Sequence, residues 1–558
     1  MSGEGDNAST VSVALARRWL EPLGIAVAGF VYYTSFVGSG LSLSDEGYLV
    51  YGAHRVLQGQ LPGADFHAYA PGRYLLLAAW LQVVGTSVLS ERLMWIPLRI
   101  GVALLAWRLS GRVLAGAWRW VPVVLVLVVP GPWHKTFSVL FLFAAALALV
   151  RYLEAPLVTR MAQCGMAVGT VIVFRVDFGI SLCAIMLAIV VAHSAASPAP
   201  HCGLRVGRAV LAGALVSGAA ILPVTLLLLY LAGAGALQAT VGFYVDEMAR
   251  TASTSSAINP YLQSYPWPWR LLEPDSLSIA RLSFFCVSSL LLWGQVGLLL
   301  FCLVRTVRAR WRIQDPCLAS VAAFGCLGCL QFVIQPDRSH LLQGAGLSYI
   351  ALAYWLSRLA DRARRRSVGN CLLLLPILVV ADVTVHTANP YYTGSLMSRV
   401  GATAAVESDR AGIRARPEEV APVNTVLRCL SENRLPGDAL LAVPYAPMFN
   451  FLSEMENPTG LDLFFPHTVG DEQALVQRIR DARIRFLVLE AQFQEAEEPG
   501  PATMMRKYAP ILESWLYRNY ATILRAPPYL LMELKPSESE SEGGHGATSG
   551  GVSADREP

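Results

Sequence analysis

The chain has 558 residues, 54% of them apolar or aromatic and only 15% Asp, Glu, Lys or Arg, with a net charge of +4. A soluble protein carries roughly a quarter charged residues, so this composition, with a mean hydropathy of +0.46, excludes a soluble enzyme. The positive balance comes from 41 arginines beside three lysines. They stand at loop ends, as membrane topology asks, and do not form a nucleic-acid surface.

In chain order, residues 1 to 19 read as a cytoplasmic N-terminal tail without a cleavage pattern, leading into an uncleaved span. Apolar segments follow at 20 to 40, 74 to 90, 95 to 115, 137 to 152, 178 to 194, 207 to 232, 283 to 304, 316 to 335, 340 to 358 and 370 to 388, with shorter ones at 120 to 130 and 161 to 174. Runs of this length predict a polytopic α-helical membrane protein of about 11 to 13 spans over residues 20 to 389. Positive loops stay on the cytoplasmic side, which puts the runs Arg305 to Arg312 and Arg358 to Arg366 inside. The first loop (41 to 73), the loop 243 to 282 and everything from 390 onward then face outward. Arg17 and Arg18 hold the N-terminus inside. The two ends agree only for an odd number of crossings, so one short segment is expected to be re-entrant or fused to its neighbour.

Past residue 389 the chain changes character. Residues 1 to 400 carry 29 basic and 17 acidic groups, and residues 401 to 558 carry 15 and 23. Helical periodicity at 418 to 434, 471 to 482 and near 501 to 518 alternates with apolar runs at 439 to 444, 484 to 489 and 529 to 534. That alternation predicts a small extracytoplasmic α/β domain over 390 to 535. Residues 536 to 558 are low-complexity and expected to be disordered. Nine of ten cysteines precede residue 372, mostly in apolar segments, and read as small buried hydrophobes. Cys429 stands alone, so the C-terminal region holds no internal disulfide.

The chemistry-bearing residues gather in the first loop, where Asp45, Glu46, Asp65 and His67 crowd into some twenty residues at the membrane surface. A carboxylate beside low-dielectric lipid is either paired or held for proton transfer, which is how a general base is made. Leu49, Val50, Ala53, Val56 and Leu57 have helical spacing, predicting an interfacial helix over 47 to 59 with Asp45 as N-cap. Asp45 as a mere cap and Glu46 as a first-turn acid is the alternative account.

This loop resembles the GT-C superfamily of membrane glycosyltransferases, specifically the bacterial relatives of protein O-mannosyltransferases and of the lipid A aminoarabinose transferase. The likeness rests on the acidic pair Asp45-Glu46 after the first span, the turn Gly59-Gln60-Leu61-Pro62-Gly63-Ala64-Asp65-Phe66 and the stretch Tyr69-Ala70-Pro71-Gly72-Arg73-Tyr74. It is strongest over 40 to 115 and extends to a soluble extracytoplasmic C-terminal domain. It implies Asp45 as catalytic base with Glu46 or Asp65 assisting, a polyprenyl-phosphate sugar donor, a glycan, lipid or protein acceptor, and no cofactor. Separately, His67, His134 and His340 are not at metal-ligand spacing with one another, so no zinc site is expected. The aminoarabinose-type loop is longer, and its Lys-Pro-Pro-Leu stretch is replaced here by Ala70-Pro71-Gly72-Arg73, so the donor's identity does not transfer.

Such chemistry needs cations for a departing phosphate. Arg175, Arg338 and His340 are the outward-facing candidates, because arginine's planar fork donates in pairs. Ion pairs of Arg175 with Asp177 and of Arg338 with Asp337 are the structural alternatives, and Arg73 reads as a snorkelling helix-end residue. His67, Tyr69, Asp177, Tyr244 and Trp267 are candidate contacts for sugar and acceptor, although Tyr and Trp at this depth also form interfacial belts. A bacterial cytoplasmic-membrane glycosyltransferase is the leading function. A glycolipid transporter or flippase and a non-catalytic envelope assembly protein are the alternatives; the missing inverted repeats speak against the transporter.

Overall fold

A computed structural model describes residues 5–196, 202–254, 279–308, 315–334, 338–363, 372, 374–386, 394–464, 471–493, 499–500 and 509–536. The expectations for Trp267, Asp337 and the tail beyond 536 fall outside these residues, as does the Arg338 side chain. The chain forms two compact units, Met1–Asn424 and Thr425–Pro558.

The first unit is built from α1 (Gly5–Thr34), α2 (Asp45–Leu57), α3 (Pro71–Val84), α4 (Val88–Val113), α5 (Val121–Val128), α6 (Thr136–Glu154), α7 (Val158–Phe174), α8 (Val176–Ala196), α9 (Cys202–Gly233), α10 (Leu237–Thr254), α11 (Ile279–Arg308), α12 (Pro316–Ile334), α13 (Arg338–Ala363) and α14 (Leu374–His386). Among the described residues, five stretches are long and apolar enough to cross a membrane: Val88–Val113, Trp133–Glu154, Val176–Ala195, Val206–Gly233 and Leu282–Arg308. Shorter apolar helices lie at Gly116–Val128, Val158–Phe174, Pro316–Leu330 and Leu374–Val383. The multi-pass membrane class read from composition is therefore present in the helices. Fewer long spans are found among the described residues than expected, and one expected run is broken. In the run 74 to 90, Gly85 takes φ +109, closed to side-chain-bearing residues, and ends α3. The chain restarts at α4, where the Ser87 hydroxyl accepts from the Ser90 N–H.

Close helix contacts are made by glycine. Gly165 and Gly169, four apart on α7, back onto α9, where a Cβ on either would stand 2.2 Å from a carbonyl oxygen, of Val216 and Ala220 respectively. Gly344 on α13 meets Gly328 on α12 in the same way, again at 2.2 Å. Between helices in lipid there is little hydrophobic drive, so such van der Waals contact is what joins them. The opposite face of α9 is apolar and open, with Val210 67% and Leu229 63% exposed.

Residues 394 to 424 belong to the first unit. Their short hairpin, β1 (Ala404–Ala405) with β2 (Arg414–Ala415), straps the start of the first loop. The Gly40 N–H donates to the Arg414 carbonyl and the Arg414 N–H to that of Gly38, both at 2.8 Å. The Val88 N–H donates to the Arg410 carbonyl at 2.8 Å, and Arg99 Nη1 to that of Gly394 at 3.0 Å.

In the second unit, β3 (Leu440–Val443), β4 (Phe486–Glu490), β8 (Tyr529–Leu534) and β7 (Tyr520–Ala526) form one sheet in that spatial order, with β3 parallel to β4 and the other pairs antiparallel, while the short β5 (Gln492–Phe493) and β6 (Pro499–Gly500) pair with each other. Alternate residues Leu441, Val443, Leu487, Leu489, Leu530 and Met532 share one face, packed with Leu475 and Ile479 of α15 (Glu472–Asp481) and Leu512 and Leu516 of α16 (Pro510–Asn519). The α/β character expected from the alternating pattern is thus observed.

Candidate active site

The first loop is organised by an ion pair that no local pattern announces. Glu46 on α2 and Arg92 on α4 are both fully buried, with Nε to Oε1 at 2.6 Å and Nη2 to Oε2 at 2.8 Å. The remaining N–H groups of Arg92 donate to the carbonyls of Val37 (3.1 Å), Ser39 (2.9 Å) and Gly40 (2.9 Å), so all five donors are engaged. The chain leaving α1 is thereby fastened to the entry of α2.

That entry differs from the expected one. Ser44 is the N-cap residue, and Asp45 and Glu46 are the first two helical residues. Two acids fit the first turn because the helix N-terminus carries partial positive charge. With Glu46 committed to Arg92, Asp45 is the acid that remains partly accessible, at 28% side-chain exposure. Its Oδ2 lies 3.5 Å from Nε2 of His134, which is 3% exposed and sits in the single 3-10 turn Trp133–Lys135 before α6. Asp45, Lys135, Arg73 and His340 are all within electrostatic reach of this imidazole. Residues from α2, α3, the α6 entry and α13 therefore converge.

Arg73, half-buried on the first turn of α3, stacks over Tyr69 and Tyr74 at 5.0 and 5.3 Å and acts electrostatically on Asp177. It is placed there by Gly72, where a Cβ would stand 2.7 Å from the Val173 carbonyl oxygen, so this glycine lets α3 approach α7 closely. The Tyr48 hydroxyl donates to the His67 carbonyl at 2.8 Å and lies 2.6 Å from His67 Nδ1, which is then the protonated ring nitrogen. Burial, and to a lesser degree Tyr74 and Tyr69, holds the Tyr48 phenol well above its usual pKa against the opposing pull of Arg73. The phenol stays neutral and continues to donate. His67 also meets Phe243 of α10 edge-on at 5.1 Å, and Phe243 meets Tyr244 at the same distance.

Of the expected site residues, Asp45, His67, Tyr69, Asp177, Tyr244 and His340 are thus drawn into one region around Arg73 and His134. Arg175 follows α7 directly, and its Nε donates to Asp177 Oδ1 at 3.2 Å, with side chains 27% and 67% exposed. Asp65 is exposed and accepts from the Leu61 N–H at 2.7 Å, closing the turn before Phe66. Sequence reasoning gave no role to Arg92, Lys135 or His134. The signal for His134 was a His-Lys pair interrupting an apolar stretch.

Comparison with known proteins finds no matching family model and no matching curated relative. Solved structures similar to this chain include the apo oligosaccharyltransferase of Archaeoglobus fulgidus (TM-score 0.48, 10% identity, covering 94% of this chain and 82% of that one). The same enzyme in complex with Zn and sulfate matches with TM-score 0.43 and 12% identity, covering 87% and 68%. ArnT from Cupriavidus metallidurans bound to undecaprenyl phosphate matches with TM-score 0.47 and 13% identity, covering 93% and 98%. Both enzymes are GT-C superfamily members, the superfamily that the first-loop motif resembles. With TM-scores below 0.5, none of them fixes what this chain does.

Proposed function

We propose that the chain is a membrane glycosyltransferase that moves a sugar, with inversion, from a polyprenyl-phosphate-linked donor to a hydroxyl of an envelope glycan, lipid or protein. The transfer takes place on the extracytoplasmic face of a bacterial cytoplasmic membrane. The observation that carries this reading is the division of labour between adjacent acids: Glu46 is closed on Arg92 at zero exposure, while Asp45 stays accessible beside His134. A carboxylate that is accessible while its neighbour is locked in an ion pair can reach an acceptor hydroxyl and take its proton.

Asp45 takes the hydroxyl proton as the acceptor oxygen bonds to C1 of the sugar. The C1–O bond to phosphate breaks, and its electron pair leaves on the polyprenyl phosphate. Arg73, Arg175, Arg338 and His340 meet the leaving phosphate, arginine being suited by its paired donors. Asp177 shares Arg175 with that phosphate, and His67, Tyr69, Tyr244 and Trp267 contact sugar and acceptor. Glu46 orients Asp45 through the clamp, and Asp65 shapes the turn that carries His67. The step needs no cofactor.

The test supplies purified protein with undecaprenyl phosphate carrying radiolabelled mannose, glucose or arabinose, together with the lipid and glycan fraction of the membrane. Label should pass from donor to acceptor fraction. Asp45→Asn should lower turnover by roughly two to four orders of magnitude with thermal stability nearly unchanged. Near-normal turnover in that variant removes Asp45 as the base; no transfer by the wild type with any donor removes the glycosyltransferase reading.

A further inference from the structure

Within that reading, we infer that His134 is the positioning residue of the base, its Nε2–H directed at Asp45 Oδ2 so that the carboxylate is held in one orientation toward the acceptor hydroxyl. The observations are independent of the first-loop motif. His134 belongs to another part of the chain, 89 residues on, yet it reaches Asp45 at 3.5 Å from a side chain only 3% exposed, against 28% for Asp45. A polar ring this well enclosed has little freedom to turn away, whereas Asp45 borders the open side.

Its backbone is fixed as well. The Thr136 hydroxyl donates to the Trp133 carbonyl at 2.7 Å and tightens the turn, and Arg99 lies over the Trp133 ring at 3.6 Å. At 3.5 Å Nε2 makes no hydrogen bond to Oδ2 in this structure; catalytic contacts that are long in the free enzyme often tighten in the reacting complex, and within the inference this one does. The charged and titratable groups facing His134 are Asp45 from α2, Arg73 from α3, Lys135 from its own turn and His340 from α13. The inference requires only an N–H on Nε2, which either protonation state of the ring provides when Nε2 carries the proton.

The experiment compares His134→Leu, which removes the donor, with His134→Gln, whose amide restores one, using the undecaprenyl-phosphate donor on which the wild type is active. His134→Leu should lower kcat about a hundredfold, the scale of a base displaced by about 1 Å. It should also move the acid limb of the kcat profile, which reports the reacting complex, to higher pH, because a carboxylate that loses a hydrogen bond to its charged form holds its proton more tightly. His134→Gln should recover most of the rate and return the limb toward its wild-type position. If His134→Leu does not accumulate, His134→Met, apolar and flexible, takes its place. An unmoved acid limb in the apolar variant, or equal defects in the Gln and apolar variants, overturns the inference. A wild type that transfers sugar, with Asp45→Asn inactive and His134→Leu normal, refutes the inference alone. A wild type without transfer refutes the reading on which it rests.

Discussion

Arg92, in the first unit, sits at zero exposure with five protein acceptors around its guanidinium, whereas Arg485, in the second, reaches Asp438 and Glu533 at 2.8 Å each from a side chain that is 30% exposed. Both arginines are paired with carboxylates, but only Arg92 also has carbonyl acceptors, and the two do different things. An exposed pair is screened by water and contributes little. A buried pair gains little over an apolar replacement, but loss of one partner strands a charge. Arg92 therefore dictates where the first loop runs, and Arg485 decorates a sheet that its apolar residues already specify.

The sharpest way to break this contrast is Arg92→Met, which should destabilise the protein by about 3 to 5 kcal/mol by leaving Glu46 buried and unmatched. Thermal unfolding in detergent measures this, and the double variant Arg92→Met/Glu46→Met should regain most of the loss. If the single variant melts like the wild type, the clamp does not organise the loop. Next in size, Arg175→Ala should weaken donor use about tenfold to a hundredfold, the scale of a hydrogen bond to a charged group, while Asp177→Asn is tolerated. A variant Arg175→Ala that fails to accumulate, with Asp177→Asn equally unstable, returns Arg175 to the role of a local ion pair.

A pH effect comes third. His54 Nε2 lies 3.1 Å from Arg410 Nη1 in the strap, and burial first, then Arg410, pushes the imidazole down to about 4 from 6.5. The folded state thus favours neutral His54. The stability this contributes is present above pH 6.5 and is lost as pH falls from 6.5 toward 4. The melting temperature should drop over that window, and His54→Gln should flatten the drop; an equal drop in both proteins rules His54 out as its source. Smallest is Arg485→Gln, which should change stability by less than about 1 kcal/mol. A larger loss would erase the distinction between the two arginines.

Much of the fold was legible because it is written in local pattern. Several runs became helices with ends near those expected, as at 207 to 232 for Cys202–Gly233 and 418 to 434 for Pro417–Asn433, whereas α1 (Gly5–Thr34) begins well before the run 20 to 40 and ends short of it. Strand β7 escaped notice because only Tyr520 and Ala526 at its ends are buried, leaving no alternating signature. The candidate site was half legible. Asp45 and Glu46 stood out as neighbours in a polar loop, but which one was committed depended on Arg92, 46 positions away, and charge partners at that distance leave no periodic trace. His134 and Arg73 were visible as residues but not as neighbours, since three separate turns meet there. The pair Gly165 and Gly169 had the right spacing to be read as a helix-crossing signal, yet it lay in a short segment whose status as a span was itself in doubt.

That crossing governs more than packing. From Gly169 to Val173 is about 6 Å along the α7 axis at the usual helical rise, and Val173 backs onto Gly72, next to Arg73, while Arg175 begins just past the helix end. The glycine contact with α9 is thus the pivot of a short lever whose tip carries the Arg175 guanidinium and rests against α3 beside that of Arg73. A larger side chain at Gly169 would swing that tip and change the gap between the two cations without touching either. Variation at such lipid-buried positions would surface as altered preference among donors of different headgroup size, and a comparison confined to residues in contact with the substrate would miss its origin.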